Sequence, residues 1–463
     1  MENLLLLTDS YKATHAKAYV KGIQNIYSYM ESRGGKYEKI IFFGLQYYLK
    51  KYLTGIQVTK EKIDEAEAFW AEHFGRTDCF NREGWEHILN VHGGKLPLKI
   101  KAVTEGSIIP ISNVLMTIEN TDPNCYWLTN YVESLLMKLW YPITQTSRSY
   151  YIRKDIEEIL EKSGTPESIA FRCHDFSYRG VTSEEHAAIG CASHLLSFMG
   201  TDTVAGIRML QKYYSAGMCG FSIPATEHSI MCSFGREHEL EACENFLDTY
   251  PTGLIACVSD TYNIYECCSD IWGGKLKDKV INRDGTLVVR PDSGSFMEIV
   301  PEILEILGDK FGFTVNDKGY KVLDPHVRVI QGDGMNPVTI KQLYDHIMKL
   351  GWSADNLTVG SGGGLMMKDI DRDTCKFAIK ASAANINGEW IGIQKDPITD
   401  KGKKSKKGRL KLIEVVEEPY FETIEESDPY YDQAVDILQT VFENGELLIE
   451  YSLDEIKEKL NKA

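Results

Sequence analysis

Ser361-Gly-Gly-Gly364 follows the short β-rich run Leu357-Thr-Val359 and precedes Leu365-Met-Met367. Residues without a Cβ let several backbone N–H groups converge on one anion at a helix start, which is the composition of a phosphate cradle. A flexible turn uses the same residues. Arg290-Pro-Asp-Ser-Gly294 places a guanidinium beside a carboxylate in a turn that proline fixes and glycine ends. Gln331-Gly-Asp-Gly334 repeats the theme. A salt-bridged turn is the plainer reading of the first. Two carboxylates flanked by glycine backbone, Asp292 and Asp333, suit sugar hydroxyls or a Mg²⁺ ion held through phosphates.

Three further segments carry titratable or planar groups. Glu227-His228 puts an imidazole beside an acid after a proline turn, either as a satisfied buried histidine or as an acid–base group or phosphate-accepting nucleophile. His174-Asp-Phe-Ser-Tyr-Arg-Gly180 gathers a ring, an acid and an arginine in one loop, suited to stacking a planar ligand with Phe176 and pairing a phosphate with Arg179. A structural aromatic turn has the same content. Asp202, between Gly200 and Val204-Ala-Gly206, is placed to accept a hydrogen bond from an amide NH₂ while repelling a carboxylate ligand. His186, Cys191 and His194 fit no familiar metal-ligand spacing and read as ordinary core residues.

These groups need elements to hold them, and the sequence supplies a repeating one. Apolar runs, among them Ser168 to His174 and the small, apolar stretch Ala187 to Met199, and others ending near Ala225, Val258, Val289, Ile330 and Val359, each lead into a polar or glycine-rich signal and then a helical stretch. The landmarks 175, 202, 228, 260, 292, 333 and 362 are about 26 to 41 residues apart, the interval of one βα unit. Candidates at nearly every strand end favour a β/α barrel, of irregular form, over a doubly wound sheet that would gather its ligand at one switch point. The fold class is therefore α/β. Before this beat lie helical segments such as Lys60 to His73 and Asn124 to Trp140, and the strand-like Leu98 to Val103. After it come Trp390-Ile-Gly-Ile393 and Tyr420 to Glu425. The expected division is a barrel-like domain over 150–375 and an α+β domain built from 1–149 plus 376–463.

A chain of 463 residues has room for two or three domains, and 43% hydrophobic with 25% charged residues is a globular composition. The net charge of -16 disfavours non-specific binding to nucleic acid or to an anionic membrane, so any phosphate site has to be local. The apolar start Leu4-Leu-Leu-Leu7 breaks at Thr8-Asp9, too short for a signal or a span, so a cytoplasmic location is expected. Eleven cysteines without a CxxC pair suit reduced thiols, and neither a disulfide nor a zinc site is expected. The basic run from Lys401 to Arg409 reads as an exposed loop, a solvated turn or a lid for a polyanionic substrate.

Taken in order, Thr8-Asp-Ser-Tyr-Lys12, the loop from His174 to Gly180, Gly200-Thr-Asp-Thr-Val-Ala-Gly206, Glu227-His-Ser229, Val258-Ser-Asp260, Arg290 to Gly294, Gln331 to Gly334 and Gly360-Ser-Gly-Gly-Gly364 closely resemble the nicotinamide phosphoribosyltransferases, of the type II phosphoribosyltransferase family. The resemblance covers essentially the whole chain. It implies transfer of phosphoribose from 5-phosphoribosyl 1-pyrophosphate to nicotinamide, with Mg²⁺ as cofactor and ATP as a coupled substrate. It also implies a homodimer with shared active sites.

By the same resemblance, Phe176 stacks on one face of the pyridine ring and Tyr11 of the other subunit on the opposite face, with Asp9 beside it, while Asp202 holds the carboxamide. Asp292 binds ribose hydroxyls, Asp260 and Asp333 lie near the sugar and the Mg-pyrophosphate, and Gly362 and Gly363 receive the 5′-phosphate. Arg179, Arg290, Lys380, Lys395 and Lys403 meet phosphates, and Arg33 and Arg372 arrive across the dimer interface. His228 is the residue phosphorylated from ATP, oriented by Glu227. Two positions depart from the pattern, Ser177 for an expected glycine and Ala256 for an expected serine. Nicotinate phosphoribosyltransferase is the nearest alternative, and Asp202 is the feature that argues against it.

Overall fold

The computed structural model describes residues 3–399, 404–415 and 420–462, in two compact units. One consists of Arg148–Gln211 and Ala216–Asp369, and the other of Met1–Ser147, Lys212–Ser215 and Ile370–Ala463.

The first unit is built on a five-stranded parallel sheet in the order Cys173–Asp175, Leu357–Ser361, Val327–Gln331, Leu287–Arg290, Ile255–Val258. Strands such as Ile255-Ala-Cys-Val258 are buried along their whole length, which is why they read as unbroken apolar runs rather than as an alternation. Beyond the sheet, parallel bridges join Asp175 to Thr201, Gly200 to Phe221 and Ala225 to Ala256. Those single contacts lead from one edge strand back to the other, so the expected seven positions are present, two of them as bridges instead of ladders. This is the irregular β/α form.

Between strands run amphipathic helices, among them Phe296–Phe311 and Pro337–Lys349. The second starts at Asn336, whose side chain accepts from the N–H groups of Val338 and Thr339, with proline in the first turn. Two expected strands differ. Pro166–Phe171 is a 3₁₀ helix and the strand begins only at Cys173, because Pro166 opens the turn and the Arg172 guanidinium is drawn to Asp355 and to the carbonyls of Ala354, Asp355 and Leu357. The small, apolar stretch from Ala187 lies in the helix Glu184–His194, capped by Ser183.

The second unit carries a seven-stranded antiparallel sheet in the order Glu389–Gly392, Phe377–Ile386, Ile23–Ser32, Val114–Asn120, Leu98–Ala102, Gln439–Glu443, Glu446–Leu447. Its longest ladder pairs Ile23–Ser32 with Phe377–Ile386, so segments from both ends of the chain share one sheet. Helices Lys60–Phe74 and Arg82–His92 belong to the same unit. The expected single helix from Asn124 is broken into a 3₁₀ turn at Pro123–Cys125 and the short helices Leu128–Tyr131 and Glu133–Met137. Glu105 is fully buried here, and burial pushes its carboxyl up to about 7 against the opposing N–H bonds from Gln46 and Gly44. Among the described residues, no helix is long and apolar enough to cross a membrane.

Candidate active site

The strand ends of the parallel sheet place the acids and rings on one rim. Phe176, just after Cys173–Asp175, packs on an apolar floor of Ala256, Val288 and Ile330 with Ile223 beside it. Gly360 makes room for the ring, since a Cβ there would lie 2.0 Å from Phe176 Cε2. Asp175 is buried and structural, accepting from Ser177 N–H and Oγ on one oxygen and from Thr201 Oγ1 on the other. His174 Nε2 lies 3.0 Å from Asp202 Oδ1, and the hydroxyl of Ser222 donates to the same oxygen. Burial works against ionisation of Asp202, but His174, Ser222 and the charge of Arg290 outweigh it and hold the carboxyl below its ordinary value.

A second cluster centres on Asp260, whose side chain is 5% exposed. Its Oδ1 lies 3.0 Å from His228 Nε2, while Oδ2 accepts from the N–H of Asp292 (3.0 Å) and the hydroxyl of Ser293 (2.5 Å). His228 Nδ1 is 4.0 Å from Asp292 Oδ2. Burial raises the Asp292 carboxyl; Asp260 and Asp333 reinforce the rise, and Arg290 and His228 oppose it. Arg290 also donates to the Thr226 carbonyl. Glu227 departs from its expected part: its carboxylate caps nothing on His228 and accepts from the Ser229 hydroxyl, because as the residue before the helix His228–Ser233 its side chain turns back onto the first helical turn. Asp260 is the acid that meets the imidazole.

Gly362 precedes the short helix Gly363–Met366, and its neighbour Gly180 comes so close that a Cβ there would lie 3.0 Å from the N of Gly363. Arg179 is exposed beside this turn, and Asp333 is exposed at its own strand end. His194 pairs with Ser149 and the Cys173 carbonyl, and Cys191 with Thr201 and Thr203, so those residues serve the core.

The other unit has a cavity of about 950 Å³, and it is cationic. Arg33, Arg372, Lys376, Lys380 and Lys395 line it with Asp9 and Tyr11. Burial lowers the Lys380 amine, and Arg33, Lys395 and Arg372 lower it further by like charge, with Glu133 opposing. Arg33 is anchored on the buried Glu31, Lys12 on Glu133, and Asp9 accepts from Ser134. Tyr11 is 59% exposed. Lys403 lies outside the described residues. Among the described residues of the basic run, Lys406 pairs with Glu31, Ser405 is buried, and Arg409 stacks on Trp390 and pairs with Glu119, while Lys404 and Lys407 are exposed.

Known proteins match this arrangement along the whole chain. Residues 171–446 match the model of the nicotinate phosphoribosyltransferase (NAPRTase) family, and residues 3–100 that of the nicotinamide phosphoribosyltransferase N-terminal domain. The chain belongs to the nicotinate phosphoribosyltransferase family. A nicotinamide phosphoribosyltransferase of Xanthomonas campestris pv. campestris is 43% identical over 469 residues, covering 100% of this chain and 99% of that one. One of Acinetobacter baylyi is 34% identical, covering 99% and 97%. Among solved structures, a nicotinate-nucleotide pyrophosphorylase from Pyrococcus furiosus aligns with a TM-score of 0.60 at 15% identity, over 99% of this chain and 95% of that chain. The human nicotinic acid phosphoribosyltransferase gives 0.57 at 13%, over 99% and 93%. At such identities these two show the fold.

Within this family frame, the two departures have local explanations. The Ser177 hydroxyl is buried against Asp175 and the sulfur of Met366, and Ala256 is part of the floor under Phe176. His174 as the partner of Asp202, and Ser222, Ser293 and Lys376, do not follow from the sequence motifs. Ser222 sits inside the run that ends near Ala225, and Lys376 is one lysine among many, so no local signal marks either.

Proposed function

We propose that this chain transfers the phosphoribosyl group of 5-phosphoribosyl 1-pyrophosphate to nicotinamide, giving nicotinamide mononucleotide and pyrophosphate. The observation that carries this is Asp202, its carboxyl held below the ordinary value, bonded to His174, whose ring centroid lies 4.7 Å from that of Phe176. Asp202 Oδ1 takes both His174 and Ser222, and its Oδ2 accepts from the carboxamide NH₂ of a ring stacked on Phe176. A nicotinate carboxylate would meet a like charge there, so nicotinamide is favoured. The names of the two relatives support the same base.

In this mechanism Asp292 accepts from the ribose hydroxyls, and Asp260 is held in place by His228, Asp292 N–H and Ser293. As the bond from C1 to pyrophosphate lengthens, positive charge grows on the sugar, and the fixed carboxylates stabilise it. The ring nitrogen of the base then forms the new bond at C1. Gly362 and Gly363 offer N–H groups to the 5′-phosphate, with Arg179 and Arg290 adding charge. Asp260 and Asp333 add to the rise that burial gives Asp292, and these carboxylates are hard oxygen donors that fit Mg²⁺. Asp260 and Asp333 would hold it, and when bound with pyrophosphate it supplies neutralisation of the leaving group. The cationic cavity, with Tyr11 and Asp9, is assigned to the pyrophosphate side of a site in a second copy of the chain, which makes the active enzyme a homodimer.

His228 is assigned as the acceptor of the γ-phosphoryl group of ATP, with ADP leaving and water later cleaving the phosphohistidine. The test of the main reading is chromatographic: purified protein, 5-phosphoribosyl 1-pyrophosphate, Mg²⁺ and nicotinamide should yield nicotinamide mononucleotide and pyrophosphate in equal amounts. No mononucleotide from either pyridine base would overturn it. The ATP coupling has its own check. γ-Labelled ATP should leave an acid-labile, base-stable label that is absent in His228→Ala, and a wild-type protein without label would refute the coupling while leaving the transfer intact.

A further inference from the structure

We propose that His87, His92, Asp122 and Cys125 form a four-ligand zinc site in the unit that carries the antiparallel sheet. His87 and His92 lie on the helix Arg82–His92, and Asp122 and Cys125 bound the turn after the strand Val114–Asn120. Both imidazole Nε2 atoms are 2.7 Å from Asp122 Oδ2, and the ligand atoms of all four residues lie within 4.8 Å of one another. Cys125 is buried and the other three are partly so.

The backbone presents these donors independently of any ion. Asp122 Oδ1 accepts from the N–H and Nδ2 of Asn124, which fixes the carboxylate with Oδ2 toward the histidines. The Asp122 carbonyl accepts from Asn120 Nδ2 and from the N–H of Cys125, and Pro123 stiffens the turn between. Two imidazole nitrogens, one carboxylate oxygen and one sulfur make a set that suits tetrahedral Zn²⁺. Its ordinary bond lengths imply ligand–ligand separations of roughly 3.3–3.8 Å. The observed spread brackets that value, so side-chain rotations alone would open the Asp122–histidine pairs and draw Cys125 in. On binding, the Cys125 thiol releases its proton to solvent as the Zn–S bond forms, and both histidines bind as neutral imidazoles. With four protein ligands no position is left for a substrate, so the ion clasps helix to turn and takes no part in the transfer. The absence of CxxC spacing had argued against zinc; the ligands come as His-x₄-His and Asp-x₂-Cys from segments about thirty residues apart.

The competing outcome is a metal-free tie in which both histidines hydrogen-bond to Asp122. The full-length protein, stripped with a chelator, is titrated with Co²⁺ and then with Zn²⁺. The expected result is one equivalent of Co²⁺ bound with a thiolate-to-cobalt charge-transfer band, which Zn²⁺ displaces. The band is lost in Cys125→Ser, and stoichiometric binding is lost in His92→Gln, whose partly exposed site spares the fold and the transferase activity. No stoichiometric binding by wild-type protein, or a band that survives Cys125→Ser, would overturn the proposal.

Discussion

At Asp202 a single carboxylate oxygen receives both His174 Nε2 and the Ser222 hydroxyl. Removing the hydroxyl leaves the charge but loosens its aim. Ser222→Ala should raise KM for nicotinamide several-fold, because the base feels the lost hydrogen bond only through the looser aim of Asp202, with kcat nearly unchanged. Steady-state kinetics check this, and an unchanged KM would mean that Ser222 does not help to position Asp202. The aspartates themselves were readable in the sequence, because each is a short acid directly after an apolar run. Their partners were not: His174, Ser222 and Ser293 act across bridges between segments about 20 to 33 residues apart, and no local pattern reports such a pairing. Glu227 misled for the converse reason, since adjacency in sequence put it beside His228 while the helix start turned it toward Ser229.

The strand Leu357–Ser361 positions two things at once, the glycine turn at its end and the face on which Phe176 rests. A Cβ at Gly360 would overlap the Phe176 ring, so Gly360→Ala must push the ring off its floor of Ala256, Val288 and Ile330. The expected outcome is a loss of base affinity of tenfold or more with about 1–3 kcal/mol of destabilisation, measured by nicotinamide saturation kinetics and by denaturant melts. Full retention of both would show that the ring does not depend on that gap. The strands Ile255–Val258, Leu287–Arg290, Val327–Gln331 and Leu357–Ser361 were visible as apolar runs because both faces are covered. The segments near 168 and 187 were misread because a 3₁₀ turn opened by proline and a helix buried on most faces carry the same apolar content without a distinguishing period. The ends of the chain showed no βα beat, yet which strands they pair with depends on long-range register that composition does not encode.

For the molecule as a whole, the acidic sequence hid a cationic cavity, because the cations come from positions as distant as Arg33 and Lys395. If that cavity serves the active site of a second copy, mixing inactive Tyr11→Ala and Asp292→Ala proteins under subunit exchange should recover about a quarter of wild-type activity. No recovery would mean that each chain is self-sufficient. Stability carries its own signature through Glu105, whose folded carboxyl is pushed up to about 7 from an ordinary 4.5. A raised acid contributes its stability in full below the unfolded value and loses it as pH rises through the folded one, so the wild type should weaken between about pH 4.5 and 7 relative to Glu105→Gln. Urea melts across that range check the difference, and parallel profiles would refute it. On the proposed reading, Asp202 selects the amide and so directs the transfer to nicotinamide. The most direct measurement offers nicotinamide and nicotinate together, with 5-phosphoribosyl 1-pyrophosphate and Mg²⁺, to the wild type and to Asp202→Asn, and counts the two mononucleotides. A large excess of the nicotinamide product that shrinks roughly 10- to 100-fold in the variant is the predicted result. A wild-type preference for nicotinate, or a product ratio that Asp202→Asn leaves unchanged, would contradict it.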